Sequence, residues 1–205
     1  MHAVAMKLLA KRLTQQGFEC HIFGYYSMLH RIAQHSERLH NWLSKNFASQ
    51  PADGELMLVG HSLGGLVIRD FLHRYPKWVD TGKIKRIVTL GTPHAGSLSA
   101  DTIVKILPAF IGKSYLGALD GQAPALDSQV QLGVIAGNKS AGLGRLVMKK
   151  DWRGLENDGT VFVHETHLAN LTAHITLPCS HTGLIFDKSA AEQTTYFLTH
   201  GYFNQ

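Results

Sequence analysis

The run Gly60-His61-Ser62-Leu63-Gly64-Gly65 constrains this chain more than any other. It follows Glu55 to Val59, an apolar stretch of strand length. It precedes Leu66 to Tyr75, which reads as a helix ending before Pro76. A strand that turns into a helix within a residue or two forces the residue at the corner into a strained backbone. Small residues are then expected two before and two after it, and Gly60 and Gly64 stand there. The corner lifts the Ser62 hydroxyl clear of a sheet beside a helix N-terminus, where the Leu63 N–H can donate to a developing oxyanion. His61, whose side chain leaves the corner in another direction, is expected to be a packing residue.

The rest of the chain alternates in the same manner. Residues 2–16 carry Met6, Leu9 and Leu13 on one helical face, with Gly17 as a stop. Phe18 to Tyr25 reads as a strand. A long helix capped at Ser27 would present Ile32, Ser36, Leu39, Leu43 and Phe47. Further strands are expected at Ile84 to Leu90, Leu132 to Ala136 and Ala173 to Leu177, with a closing helix from Ala190 to Leu198. Short strands alternating with helices predict an α/β domain, a mostly parallel sheet flanked by helices on both faces. The 205 residues, 44% hydrophobic and 17% charged, suit one such domain over 1–205. Residues 97–128, with Leu98, Ile103, Ile106, Leu107, Phe110 and Ile111, are interrupted by Pro108, Gly112, Gly117, Gly121 and Pro124. They would serve either as an apolar cap or as ordinary helical packing.

Composition narrows the chemistry. The net charge of +5 is scattered along the chain with no aromatic residues interleaved, which predicts a solvated basic surface and no nucleic-acid partner. No run approaches the ~20 apolar residues of a transmembrane helix, and the first nine residues lack a secretory layout. Cys20 and Cys179 offer no disulfide framework and no metal spacing, and His164 and His167 lack a third ligand. Free thiols, a cytoplasmic location, and neither metal nor cofactor are therefore expected.

A serine at its ordinary pKa needs a base, and the base needs an orienting group. His181, in Pro178-Cys179-Ser180-His181-Thr182-Gly183, follows the last strand and so lies at a carboxyl end, where sites on such sheets gather. Asp158, in Asn157-Asp158-Gly159-Thr160-Val161, follows the strand before it and is the favoured acid. Glu156 and Asp151 are reserves, and Asp158-Gly159 is also a common turn signal.

At Gly60 to Gly65 the chain resembles the α/β-hydrolase family, in its lipase and esterase branch. Thr92-Pro93-His94-Ala95-Gly96-Ser97 is similar to a run those lipases carry after the next strand, and Asn157-Asp158-Gly159-Thr160-Val161 is similar to segments that hold their acid. The resemblance implies that Ser62 attacks a carboxylic ester, His181 relays the proton and Asp158 orients it. The substrate would be a small-molecule ester, lipid-like if the cap is apolar. The alternative is a weakly active or non-catalytic hydrolase-like fragment with a binding role.

The resemblance also implies a central strand ending in a His-Gly turn, which supplies a second oxyanion donor. Residues 2–16 are similar to the helix that follows that turn. Either the sequence is part of a longer, N-terminally extended reading frame, which is favoured, or the sheet closes differently. The chain as written is expected to be weakly active or inactive, and an extended form active.

Overall fold

The computed structural model describes residues 3–26, 29–47, 55–101, 115–127, 129–141 and 154–204. In chain order the main elements are α1 (Ala3–Gln15), α2 (Ile32–Phe47), β1 (Leu56–His61), α3 (Leu63–Arg74), α4 (Lys77–Asp80), β2 (Ile84–Leu90), β3 (Gln131–Gly137), β4 (Ala173–Leu177) and α5 (Lys188–His200). The strands form one sheet in the order β1-β2-β3-β4, with every pairing parallel. Val59 lies opposite Val88, Val88 opposite Gly133, and Gly133 opposite Ala173.

A parallel sheet is covered on both faces, so its strands carry apolar residues at successive positions. Ile87, Leu132 and Val134 face one layer with α2 and α3, joined there by Leu43, Leu66 and Phe71. Val88, Leu90 and Ile135 face the other with α1 and α5, joined by Leu9, Leu13 and Phe197. Gly133 lets α5 lie close, since a Cβ there would stand 2.7 Å from the Phe197 ring. α5 starts where Asp187 accepts from the Ala190 N–H at 2.9 Å and stops at Gly201, whose φ is +83°.

Two expectations need correction. α2 begins at Ile32, because Gln34 Oε1 reaches back to accept from the Arg31 N–H at 3.0 Å; Ser27 lies outside the described residues. Phe18 to Tyr25 joins no sheet among the described residues. Its side chains alternate as a strand's would. Phe18 and Cys20 pack into the α1–α5 layer, and Phe23 and Tyr25 into the α2–α3 layer. What it lacks is a neighbour, because β1 lies across a cavity from it.

The expected cap is described only at its flanks. Ile103, Ile106, Leu107, Phe110 and Ile111 lie outside the described residues, as does Asp151. At its edges the Ser97 N–H donates to the Leu119 carbonyl at 2.8 Å. Among the described residues no helix is long and apolar enough to cross a membrane.

Candidate active site

Ser62 sits between the end of β1 and the first residue of α3 with φ +54° and ψ −128°. It has a positive φ that no other non-glycine residue shares among those described. Such a conformation costs of order 1–3 kcal/mol and persists only where the surroundings fix it. Here the Ser62 N–H donates to the Leu90 carbonyl at 2.9 Å, and the Ser62 carbonyl accepts from Thr92 Oγ1 at 2.8 Å. Thr92, from the Thr-Pro-His run, is thus a brace for the corner. Tight approach is found at Gly60, where a Cβ would stand 2.7 Å from the Gly65 nitrogen. It is not found at Gly64, where a Cβ would meet only Tyr25 Oη at 3.7 Å. The second crowded glycine is Gly65, packed against Thr89 and Thr92. Leu63 opens α3, and among the described residues nothing accepts from its N–H, which leaves that donor for a ligand.

Asp158 and His181 meet at the carboxyl ends of the strands. Asp158 is 1% exposed. Its Oδ1 accepts from the N–H groups of Thr160 at 2.9 Å and Val161 at 2.7 Å, which fixes the carboxylate. Its Oδ2 lies 2.7 Å from His181 Nδ1. The His181 N–H also donates to the Asp158 carbonyl at 2.8 Å. A carboxylate only accepts, so Nδ1 carries the proton and Nε2 keeps its lone pair.

Two glycines make room for this pair. Gly91, at φ +55° after β2, would bring a Cβ 3.1 Å from both Asp158 Oδ2 and His181 Nδ1. Gly137, the last residue of β3, would bring one onto the Cys179 carbonyl and 2.8 Å from Asp158 Cβ. Neither position stood out in the sequence, where each is merely a glycine after a strand. Glu156 is exposed and accepts from Asn138 Nδ2 at 3.4 Å, away from the imidazole.

His61 is more than packing. It is buried, and its Nε2 lies 2.8 Å from the His181 carbonyl, with the two rings 4.7 Å apart. Since a carbonyl accepts, Nε2 donates and the end of β1 is tied to the His181 loop. Burial, and then the neighbouring His181, hold its pKa down to about 3. His61 therefore stays neutral and adds no charge beside an imidazolium. The proximity comes from the loop after β4 reaching back across the strand ends to β1, and no sequence spacing announces it. Among the described residues Ser62 Oγ makes no hydrogen bond to His181 or to any other group. The structure thus joins acid to base and leaves the hydroxyl apart.

His94 serves as a buried strut. Its Nε2 lies 3.0 Å from Thr89 Oγ1, and its carbonyl accepts from Arg69 Nη1 at 2.7 Å. Desolvation, and then Arg69, lower its pKa to about 3. Cys20 and Cys179 are free thiols. Among the described residues no cluster of His, Cys, Asp or Glu could hold a metal ion.

Parallel strands, helices on both faces and a strained serine between strand and helix are together the signature of one architecture. The chain has the α/β-hydrolase fold. Its residues 31–107 match the family model for lecithin:cholesterol acyltransferase. No curated protein matches it in sequence. Among solved structures it is similar to the mature form of the Bacillus licheniformis lipase BlEst2, with TM-score 0.77, 19% identity, and 98% of this chain and 87% of that one covered. It is similar also to phospholipase PlaB from Legionella pneumophila, with TM-score 0.72 and 16% identity over 98% of this chain and 54% of that one. The Listeria innocua lin2722 product gives TM-score 0.60 and 16% identity over 100% and 91%. At these identities the likeness to α/β-hydrolases of the lipase and esterase branch is one of fold.

Proposed function

We propose that this α/β-hydrolase cleaves carboxylic esters through a serine-bound acyl intermediate. The observation that carries the reading is the 2.7 Å contact of buried Asp158 with His181 Nδ1, made beside a strained serine at a helix N-terminus. Ser62 Oγ attacks the acyl carbon as its proton passes to His181 Nε2. The oxyanion draws on the Leu63 N–H, and collapse expels the alcohol, which leaves with the proton from His181. Water, deprotonated by the same imidazole, then cleaves the acyl-serine bond, releasing the carboxylic acid and restoring Ser62. Asp158 holds the tautomer and stabilises the imidazolium throughout. The substrate class is a small-molecule ester, and the apolar sequence between 97 and 128 favours a lipid-like acyl group. Free Cys20 and Cys179 suit a cytoplasmic setting.

A second reading, a hydrolase-like protein that binds without turnover, is favoured by the unbonded Ser62 hydroxyl. Hydrolysis of p-nitrophenyl butyrate separates them. The first reading expects Ser62→Ala to lie at least a thousandfold below the parent protein. A parent rate no greater than that of the variant supports the second.

A further inference from the structure

Glu165 touches both the turn that carries the acid and the run that braces the serine. It is 2% exposed, and its two carboxylate oxygens serve different segments. Oε2 accepts from the Phe162 N–H at 2.8 Å, the amide directly after the Thr160 and Val161 N–H groups that Asp158 Oδ1 accepts. Successive amides of one turn are thus shared between Asp158 and Glu165. Oε1 accepts from the Leu98 N–H at 2.6 Å, and the Glu165 carbonyl accepts from the Ala95 N–H at 2.9 Å. Residues 95–98 continue the run from Thr92, whose hydroxyl donates to the Ser62 carbonyl. The Phe162 bond is local, and the Glu165 N–H on the Phe162 carbonyl at 3.0 Å reinforces it. The Leu98 bond spans 67 residues of sequence and is the one that joins the two segments.

A buried carboxylate is ordinarily matched by a cation. Among the described residues none forms an ion pair with Glu165. The charged groups facing it are Asp158 on its own turn and Asp101 beyond Leu98. Arg69 is directed to the His94, Ala123 and Pro124 carbonyls, and His94 is neutral. His174 of β4 turns to Thr166 Oγ1 at 2.8 Å, and His164, next to Glu165, is exposed with its ring on Phe162. Burial pushes the Glu165 carboxyl up to about 7 against the pull of its two N–H donors, so it exchanges a proton near neutrality. The protonated acid has a hydroxyl where the carboxylate has an acceptor, so it meets two N–H donors less well. We propose, resting on the triad reading above, that Glu165 is a positioning residue for the ester hydrolysis. As a carboxylate it locks the Asp158 turn to residues 95–98, and on taking up a proton it releases the Leu98 N–H and slackens both.

Glu165→Gln imitates the protonated state, because an amide keeps one accepting oxygen and turns an NH2 toward the other N–H. The test compares kcat/KM for p-nitrophenyl butyrate in the parent and in this variant from about pH 5.5 to about 8.5. The variant is expected about tenfold below the parent at the alkaline end and level with it at the acidic end, where the parent carries the neutral acid too. Titration of His181 is common to both and cancels in the ratio. A ratio constant with pH overturns the role, because lost packing alone lowers the variant equally throughout. A second measurement needs neither turnover nor the Gln variant. In Ser62→Ala, the Leu98 amide proton followed by nuclear magnetic resonance should move upfield as pH falls through about 7, and the Phe162 amide less. A Leu98 amide that stays in place over that range overturns the release. A parent no faster than Ser62→Ala would instead sink the proposed hydrolysis, with the amide titration still deciding whether Glu165 lets go of Leu98.

Discussion

The carboxyl ends of β3 and β4 and the carboxyl end of β1 contribute to one site but differ in completeness. At the first, both Asp158 oxygens are engaged, His181 is held through its ring and its backbone, and glycines are placed where any side chain would intrude. At the second, the corner is braced by Thr92, yet among the described residues Ser62 Oγ is unbonded, His61 Nδ1 has no partner and one edge of β1 is unpaired. Strain and braces set the serine's backbone, whereas its hydroxyl is held by no hydrogen bond among the described residues. The acid–base half is held by local turns and hydrogen bonds, and the nucleophile half by a strained backbone and its braces alone.

Substitutions can break this contrast. Asp158→Asn should cost the most, about 10⁴-fold in kcat, because an amide no longer selects the Nδ1–H tautomer. The p-nitrophenyl butyrate assay checks it, and a loss below tenfold would mean the imidazole is oriented by something else. Next come paired glycine variants. Gly137→Ala forces a methyl group onto Asp158 and the Cys179 carbonyl and should destabilise by about 1–3 kcal/mol, with activity falling too. Gly64→Ala, which meets only Tyr25 Oη at 3.7 Å, should leave the urea midpoint nearly unchanged. Equal effects at both positions would erase the difference between the halves.

The most gradual effect is pH dependence. His61 and His94 have folded pKa values of about 3, below the ordinary 6.5, so their stabilisation is full above about pH 6.5 and lost as pH falls toward 3. Each contributes a slope of about 1.4 kcal/mol per pH unit inside its window. Glu165, raised by burial to about 7, opposes them between about pH 4.5 and 7, since its contribution is lost as pH rises. Stability should therefore fall on acidification below pH 6.5, and more steeply below 4.5. Urea midpoints measured across that range check this, and His94→Gln should flatten the slope.

Much of the architecture was legible because it is local. Ile84 to Leu90 and Ala173 to Leu177 coincide with β2 and β4, and the face of α2 from Ile32 to Phe47 is buried as its spacing predicts. That Ser62 and His181 follow strands, and that Asp158 lies in a turn, was readable from short-range signals, and the structure brings Asp158 and His181 together. Illegible features were those set by neighbours distant in sequence. Phe18 to Tyr25 alternates as a strand's side chains do, but pairing needs a neighbour distant in sequence, and among the described residues it has none. The need for glycine at 65 and 137, and the hydrogen bond of His61 to the His181 loop, depend on Thr92, Asp158 and strand order. No pattern within their own segments carries that information.

The central claim is that His181 activates Ser62, and labelling by a fluorophosphonate probe, mapped by mass spectrometry, tests it most directly. The account predicts a single adduct on Ser62, formed in the parent chain and suppressed at least a hundredfold in His181→Ala. An adduct on another residue, or undiminished labelling of Ser62 without the imidazole, would contradict it.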